Sequence, residues 1–396
     1  MRKMRQQARI KVLFVTTVAE TVHSFYRGYF RYLADNGFDV YVCCRPDASI
    51  ESFTEAQGAR FTPIEFSREI RIKQDFKSLI RCIRIIRKVR PTVVVCSTPK
   101  ASLIGLCAAW LNRVPVRMYQ LWGLRLETEF GWMRFILSVM EKLTVRAATI
   151  AVANSKSLAD RAVVEGLCGH SAPIVLGSGS SHGVDEEYYA PGEGVLTDSD
   201  AWDFLSEREN TLKIGFIGRI NKDKGVPTLI DAFEQCLADG YSMSLILVGD
   251  FEDKSCVDKI EKLVRAGVAF HANHVNDVRG YINHMDVICL PTLREGFPNV
   301  ILEAASMEVP AVVSDATGAM DSVEDGVTGW IFPVGEAASL KKKLEWLEEN
   351  PDQIETAGKR ARLRIKTDFT RSKVWNLQLS ALVDACAEIK TDNRSN

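Results

Sequence analysis

The sequence predicts an α/β protein built from two doubly wound parallel-sheet domains in tandem. Three observations carry this prediction. Short runs rich in β-branched residues alternate with longer segments of helical period. The alternation breaks off and then restarts. The stretch between the two series, Gly177 to Glu209, is rich in Gly, Ser, Asp and Glu with little apolar periodicity, as in a linker.

In the first series the runs IKVLFVT, FDVYVCC, TVVVCST, VPVRMYQ and ATIAVAN are continuous and apolar, the pattern of parallel strands covered on both faces. Between them, Phe25 to Asn36 and Gln74 to Val89 repeat apolar residues at helical spacing. Asn36-Gly37 ends the first segment and Pro91 follows the second. The second series reads LKIGFIG, MSLILVG, VAF, DVICLP and VPAVVSD, again with helical segments between. Such alternation winds a parallel sheet through right-handed crossovers. The expected division is 1–185, 186–370, and a terminal helix in 371–396 able to cross back to the first domain. The two domains are expected to face a central cleft, with a ligand beyond the carboxyl ends of the strands.

The length of 396 residues, with 46% hydrophobic and 26% charged, fits two folded domains and excludes a disordered chain. A net charge of −1 hides an asymmetry. Residues 1–185 hold 27 basic and 15 acidic side chains, net +12, and the remainder is net −13. A basic half of this kind suits an acidic or membrane partner. Ten scattered cysteines with no C-x-x-C pair predict neither a disulfide framework nor a metal site, and point to a reducing cytosol. The basic start MRKMRQQAR runs into IKVLFVT, too short for a signal-peptide core, which reads as the first strand. The longest apolar window, Ala101 to Leu111, falls well short of the ~20 residues of a spanning helix.

Two segments carry chemistry. REGFPNVILE, Arg294 to Glu303, follows the strand DVICLP and opens an apolar helix. Glu295 sits in the turn and Glu303 within the helix, while Gly296, Pro298 and Asn299 suit a tight loop whose N–H groups can meet an anion. Two carboxylates so placed can accept from hydroxyls. A solvated Glu303 and a Glu295 favoured only by the helix dipole is the plainer reading. GFIGRINKDKG, Gly215 to Gly225, runs a strand into Gly218 and supplies Arg219 and Lys224 before the next helix. Two cations at such a turn suit a pyrophosphate, although basic turns are often simply solvated. Neither a Walker sequence nor a G-x-G-x-x-G after the first strand is present, which disfavours a nicotinamide cofactor.

The blocks GFIGRINKDKG, LILVGD, DVICLPTLREGFPNVILEAASMEVPAVVSD and GAMDSVEDGVTGWIFPVGE resemble, in order, the donor domain of retaining glycosyltransferases of family 4, which have the GT-B fold. The family's paired glutamates match Glu295 and Glu303. STPKASLIG and RMYQLWGLRLETEFG are similar to the subgroup that builds bacterial capsule, O-antigen and related lipid-linked polysaccharides. The resemblance implies a hexosyl- or N-acetylhexosaminyltransferase. In it Arg219 and Lys224 hold the donor diphosphate and stabilise charge developing on it. Glu295 contacts the donor sugar and Glu303 the ribose. Gly218 and the backbone of Gly296, Phe297, Pro298 and Asn299 help hold sugar and phosphate, and the base lies near His271 to Val275. It implies a nucleotide-sugar donor, UDP-linked, as substrate, with no cofactor and no metal. Asp198-Ser-Asp200 matches the D-x-D of metal-dependent transferases but sits in the acidic linker. His271-x-x-His274 lacks a nearby third ligand.

Two departures stand out. The loop after the first strand, TTVAETVHSF, lacks the family's glycines, and YQLWGLR stands where many members place a His. Retention therefore rests on front-face attack assisted by the leaving phosphate, with no enzymic nucleophile to name. On the acceptor side, Lys100, Arg117 and Arg125 are candidates for the diphosphate of a polyprenyl-linked saccharide, Glu127 for orienting the acceptor hydroxyl, and His23 for a further contact. The basic helix Gln74 to Arg90 and the segment Trp132 to Arg146 (Trp132, Met133, Phe135, Ile136 and Met140, with Arg134, Lys142 and Arg146) fit an anionic membrane surface. The expected location is the cytoplasmic face of the membrane, bound peripherally, with no nucleic acid as partner. A nucleotide-sugar epimerase on the same fold, and a non-catalytic nucleotide-sugar-binding assembly protein, remain the alternatives.

Overall fold

The computed structural model describes residues 9–66, 71–192, 194, 198–208, 210–254 and 256–392. Met1 to Ala8 of the basic start lie outside them. The chain forms two compact units. The first comprises the chain up to Asn154, Ala159–Gly177 and the stretch from Trp375 onward; the second comprises Ser155–Leu158 and Ser178–Val374.

The first unit carries a parallel sheet of β1 (Ile10–Val18), β2 (Phe38–Arg45), β3 (Arg60–Pro63), β4 (Val93–Cys96), β5 (Val116–Leu121), β6 (Ile150–Ala153) and β7 (Ile174–Val175), in the order β3-β2-β1-β4-β5-β6-β7. All four residues of β4 are buried, as helices on both faces require. Its core includes Val12, Phe14, Phe30, Leu33 and Val95. Leu382 and Cys386 of the helix Arg371–Asp392 complete it.

The second unit carries β8 (Leu212–Ile217), β9 (Met243–Val248), β10 (Ala269–Ala272), β11 (Val287–Leu290), β12 (Ala311–Ser314) and β13 (Gly329–Phe332), in the order β10-β9-β8-β11-β12-β13, all parallel. Ile214, Leu245, Val287 and Val312 are at the centre of its core. In this sheet the winding reverses between β8 and β11, and the equivalent reversal in the first unit lies between β1 and β4. Loops leaving neighbouring strands at such a switch point diverge and open a crevice at the carboxyl edge.

Two expectations are corrected. The boundary expected after residue 185 falls earlier, because Val184 is already tied into the second unit. Its N–H donates to Phe369 O at 2.9 Å, and Arg371 N–H donates to Val184 O at 2.8 Å. The expected linker Gly177 to Glu209 also contains a helix, Ser199–Ser206, whose Ala201 and Leu205 are buried. Asp198 caps it, its Oδ1 accepting from the N–H groups of Asp200 and Ala201 at 3.1 Å. The D-x-D sequence is thus a helix N-cap.

Candidate active site

The loops after β8 and β11 carry the two predicted donor segments to one place. Gly225 ends the first loop and starts the helix Val226–Ala238 with φ 69°. A methyl group there would lie 1.7 Å from Pro291 O, so only glycine allows the two loops to touch. Asp223 stitches them further. Its carbonyl accepts from Leu293 N–H at 2.9 Å and Thr292 Oγ1 at 3.1 Å, and its carboxylate pairs with Arg294 at 2.8 Å.

This stitching brings Lys224 Nζ onto Glu295 Oε1. Both side chains are mostly buried, with 22% and 14% exposed. Arg219, just past Gly218, is exposed and docks on Glu252, at 2.8 Å and 3.0 Å from its two oxygens. Asn221 donates to the same carboxylate at 2.7 Å. Two ion pairs therefore stand at this edge, Arg219 with Glu252 and Lys224 with Glu295.

The Glu295 N–H donates to Thr317 O at 2.9 Å. Gly296 and Pro298 are buried, and the Phe297 ring turns into a small apolar cluster with Leu302 and Phe369. Phe297 therefore anchors the loop and offers a ligand only its backbone. Asn299 opens the helix Asn299–Ser306, and its Oδ1 is buried without a hydrogen-bond partner. Glu303 lies on the same helix and accepts from the Tyr189 hydroxyl. Burial pushes its carboxyl up to about 7, against the opposing pull of Tyr189 and Arg371. The Tyr189 carbonyl is fixed by Ser306 Oγ at 2.6 Å.

His271 Nε2 lies 2.9 Å from Gly249 O, with its ring against Phe251, and His274 N–H donates to Asp250. Among the described residues no three His, Cys, Asp or Glu side chains gather in a way that could hold a metal.

In the first unit, His23 lies on the helix Ala19–Phe25 after β1 and Lys100 on the helix Pro99–Leu111 after β4; Arg125 and Glu127 share the short helix Arg125–Thr128 after β5. All four are therefore on segments that follow carboxyl ends. His23 Nε2 is 3.0 Å from Asp47 and 3.2 Å from Ser49 Oγ, and edges onto Phe53. Lys100 Nζ pairs with Asp75 at 2.9 Å with only 10% of its side chain exposed. Arg125 pairs with Glu129, and Glu127 with Arg161. Arg117 is at the opposite, amino end of β5. Its guanidinium donates to Ala147 O at 2.6 Å and Val114 O at 2.7 Å. It is a tie between backbone segments, and the acceptor role expected of it is withdrawn.

Sequence reasoning missed Ser157 and Tyr189, and gave no role to Gly318 and Asp321 within the block GAMDSVEDG. Ser157 contacts Asp321 and Gly318 across more than 160 residues of chain, and no local pattern marks such a pair.

The pattern of the family described as Glycosyl transferases group 1 matches residues 199–364, and that described as Glycosyl transferase 4-like matches residues 11–155. The Capsular polysaccharide biosynthesis glycosyltransferase CapM of Staphylococcus aureus is 32% identical over 367 residues, 92% of this chain and 94% of the relative. The chain belongs to the family 4-like glycosyltransferases. This glycosyltransferase is also 22% identical over 328 residues to the UDP-Gal:alpha-D-GlcNAc-diphosphoundecaprenol alpha-1,3-galactosyltransferase of Escherichia coli, covering 80% of this chain and 81% of that one. Anabaena Alr3699/HepE, solved in complex with UDP, superposes with a TM-score of 0.75 at 20% identity, over 95% of this chain and 100% of the other. The fold is GT-B.

Proposed function

We propose that this glycosyltransferase moves a hexosyl or N-acetylhexosaminyl group, with retention, from a UDP-sugar to a polyprenyl-diphosphate-linked saccharide. The observation that carries the reading is the meeting of Lys224 and Glu295 at the β8/β11 switch point, with Glu303 farther along the helix Asn299–Ser306. Lys224 and Arg219 take the diphosphate, Glu295 the sugar hydroxyls and Glu303 the ribose. As the anomeric carbon–phosphate oxygen bond breaks, the two cations hold the charge that grows on the leaving diphosphate. The acceptor oxygen bonds to the anomeric carbon on the same face, and its proton passes to the departing phosphate oxygen. Arg219 and Lys224 supply the positive charge themselves, so the reaction needs neither metal nor cofactor.

The lipid-linked acceptor is supported by the name of the Escherichia coli relative and by the surface of the first unit. The helices Ile72–Val89, Pro99–Leu111 and Gly131–Ala147 pack side by side. Lys77, Arg81, Arg84, Arg87 and Lys88 are exposed on the first. On the third, Trp132 is 73% exposed and Phe135, Val139 and Leu143 continue a helical stripe; Phe130 precedes it and Trp110 and Leu111 end the second. Arg134 is drawn inward onto Glu165 and Leu126 O, leaving Lys142 and Arg146 exposed beside the stripe. No helix among the described residues is long and apolar enough to cross a membrane. The combination fits peripheral binding to the anionic inner face of a membrane.

The test is a screen of UDP-sugars with a short-chain polyprenyl-diphosphate saccharide, with products read by mass spectrometry and EDTA present in a parallel arm. Sugar addition that persists in EDTA is expected. Interconversion of the donor without acceptor identifies an epimerase instead. An unchanged cellular glycan after Glu295→Ala sinks the catalytic claim.

A further inference from the structure

The turn after β6, Asn154 to Ser157, lies outside the quoted family blocks but contacts one of them, GAMDSVEDG, at Gly318 and Asp321. Residues Ser155–Leu158 belong to the second unit although the chain on either side belongs to the first. Ser157 N–H faces both carboxylate oxygens of Asp321, at 3.3 Å and 3.2 Å. Its hydroxyl donates to Asp321 Oδ2 and at the same time accepts from Gly318 N–H at 2.7 Å. A hydroxyl has one proton to give and lone pairs to receive, so this geometry uses it in both senses. Asp321 is itself fixed. Arg364 donates to the Asp321 carbonyl at 3.0 Å and to that of Ser322 at 2.7 Å.

Gly318 is the other end of the contact. Its φ is 77°, and a methyl group there would lie 2.2 Å from Gly296 O and 2.7 Å from Glu295 O. The peptide of Gly318 therefore lies directly against the Glu295-Gly296 segment, and Glu295 N–H is held by the neighbouring Thr317 carbonyl. Moving Gly318 by a few tenths of an ångström moves the carbonyls it touches, because close-packed backbone has no slack.

We propose that Ser157 is a positioning residue of the donor-sugar site: through Gly318 it sets where Glu295 and Gly296 meet the sugar. The proposal rests on the reading of Glu295 as the sugar contact. It separates two halves of donor recognition. The ribose contact, Glu303, is held by Tyr189 and receives nothing from Ser157.

The experiment compares wild type, Ser157→Ala and Ser157→Thr, with UDP affinity by calorimetry and kcat and KM for the UDP-sugar that supports transfer in the screen above. Ser157→Ala is expected to bind UDP within about twofold of wild type while kcat falls about tenfold or more, as when groups are held off the productive geometry. Ser157→Thr keeps the hydroxyl and is expected to restore kcat to within about threefold. Should Ser157→Ala fail to fold, Asp321→Asn tests the same contact with the same two readouts. A kcat equal to wild type in Ser157→Ala, or an equal weakening of UDP and UDP-sugar, overturns the positioning role. A wild type that binds UDP-sugar and transfers it, beside an indifferent Ser157→Ala, leaves the functional reading standing without the proposal. A wild type that does neither overturns both.

Discussion

Lys224 Nζ and Glu295 Oε1 form an ion pair at the switch point of the second sheet, although one follows β8 and the other β11. Each is mostly buried, so each depends on the other for its charge balance when no substrate is present. Removing either leaves a partner uncompensated, a cost larger than the net worth of the pair. Lys224→Met is expected to lower kcat/KM about 10²- to 10³-fold, the size of a lost charge-stabilising donor. Glu295→Gln is expected to cost about as much, and the double variant less than the product of the two, because the residues act as one unit. Steady-state kinetics on the three variants measure this; strict multiplicativity contradicts it.

With Glu303 as the proposed ribose contact, donor binding is expected to depend on pH. Its carboxyl is raised to about 7 chiefly by burial, and the ionised form is the stronger acceptor for the hydroxyls of a ribose. UDP affinity is expected to rise as pH goes from 6 to 8 and to be flat in Glu303→Gln. Stability moves the other way. A raised carboxyl binds its proton more tightly folded than unfolded, so its contribution is present at acid pH and is lost as pH rises through about 7. Glu141, buried under the Tyr119 hydroxyl at 2.8 Å and also raised to about 7, adds to the same slope. Thermal midpoints are expected to fall between pH 5.5 and 8, and less so in Glu141→Gln. A midpoint that rises over that range refutes the assignment.

Which parts of this were legible follows from where hydrophobicity is obliged to show. The interior strands β1, β2, β4, β5, β6, β8, β9, β11 and β12 are covered on both faces and read as unbroken apolar runs. The three strands without a candidate in the sequence, β3, β7 and β13, are all at sheet edges. Arg60–Pro63 is a half-exposed stretch and Ile174–Val175 is only two residues, so neither leaves a periodic trace. Glu295, Lys224 and Arg219 could be placed because each directly follows a legible strand. Arg117 was misplaced for the converse reason: a strand's composition does not tell a reader which of its ends faces the ligand until the winding is known. The Ser157–Asp321 contact joins two turns remote in sequence; Asp321 lies in a block that resembles the family, but nothing in that block or around Ser157 says that the two meet.

Lys100 and Arg117 are expected to separate stability from chemistry. Lys100 is nearly buried against Asp75 and pins the helix Ile72–Val89 to the helix Pro99–Leu111, and breaking a buried pair costs about 3 kcal/mol. Lys100→Met and Arg117→Met are expected to lower the thermal midpoint of the first unit by several degrees while leaving the KM for the UDP-sugar unchanged. Calorimetry and kinetics on the same preparations decide it. A large loss of acceptor affinity with an unchanged midpoint in Lys100→Met supports the acceptor role expected of that residue.

The membrane reading divides into a charge part and an apolar part, and their sizes differ. An exposed cation near an anionic bilayer contributes about 1 kcal/mol. An aromatic side chain that leaves water covers roughly 150–250 Å² at about 25 cal/mol per Å², several times more. Trp132 and Phe135, stacked at 5.3 Å and both exposed, are therefore expected to outweigh any one lysine. Purified protein should sediment with phosphatidylglycerol vesicles and not with phosphatidylcholine vesicles, and salt should weaken the association. Trp132→Ala with Phe135→Ala should reduce binding at least tenfold, whereas Lys77→Glu alone should reduce it less and make the remainder less sensitive to salt. Equal sedimentation with both vesicle types removes the charge part. Unaltered binding by the double aromatic variant removes the apolar part, and the exposed stripe on the helix Gly131–Ala147 would then need another partner.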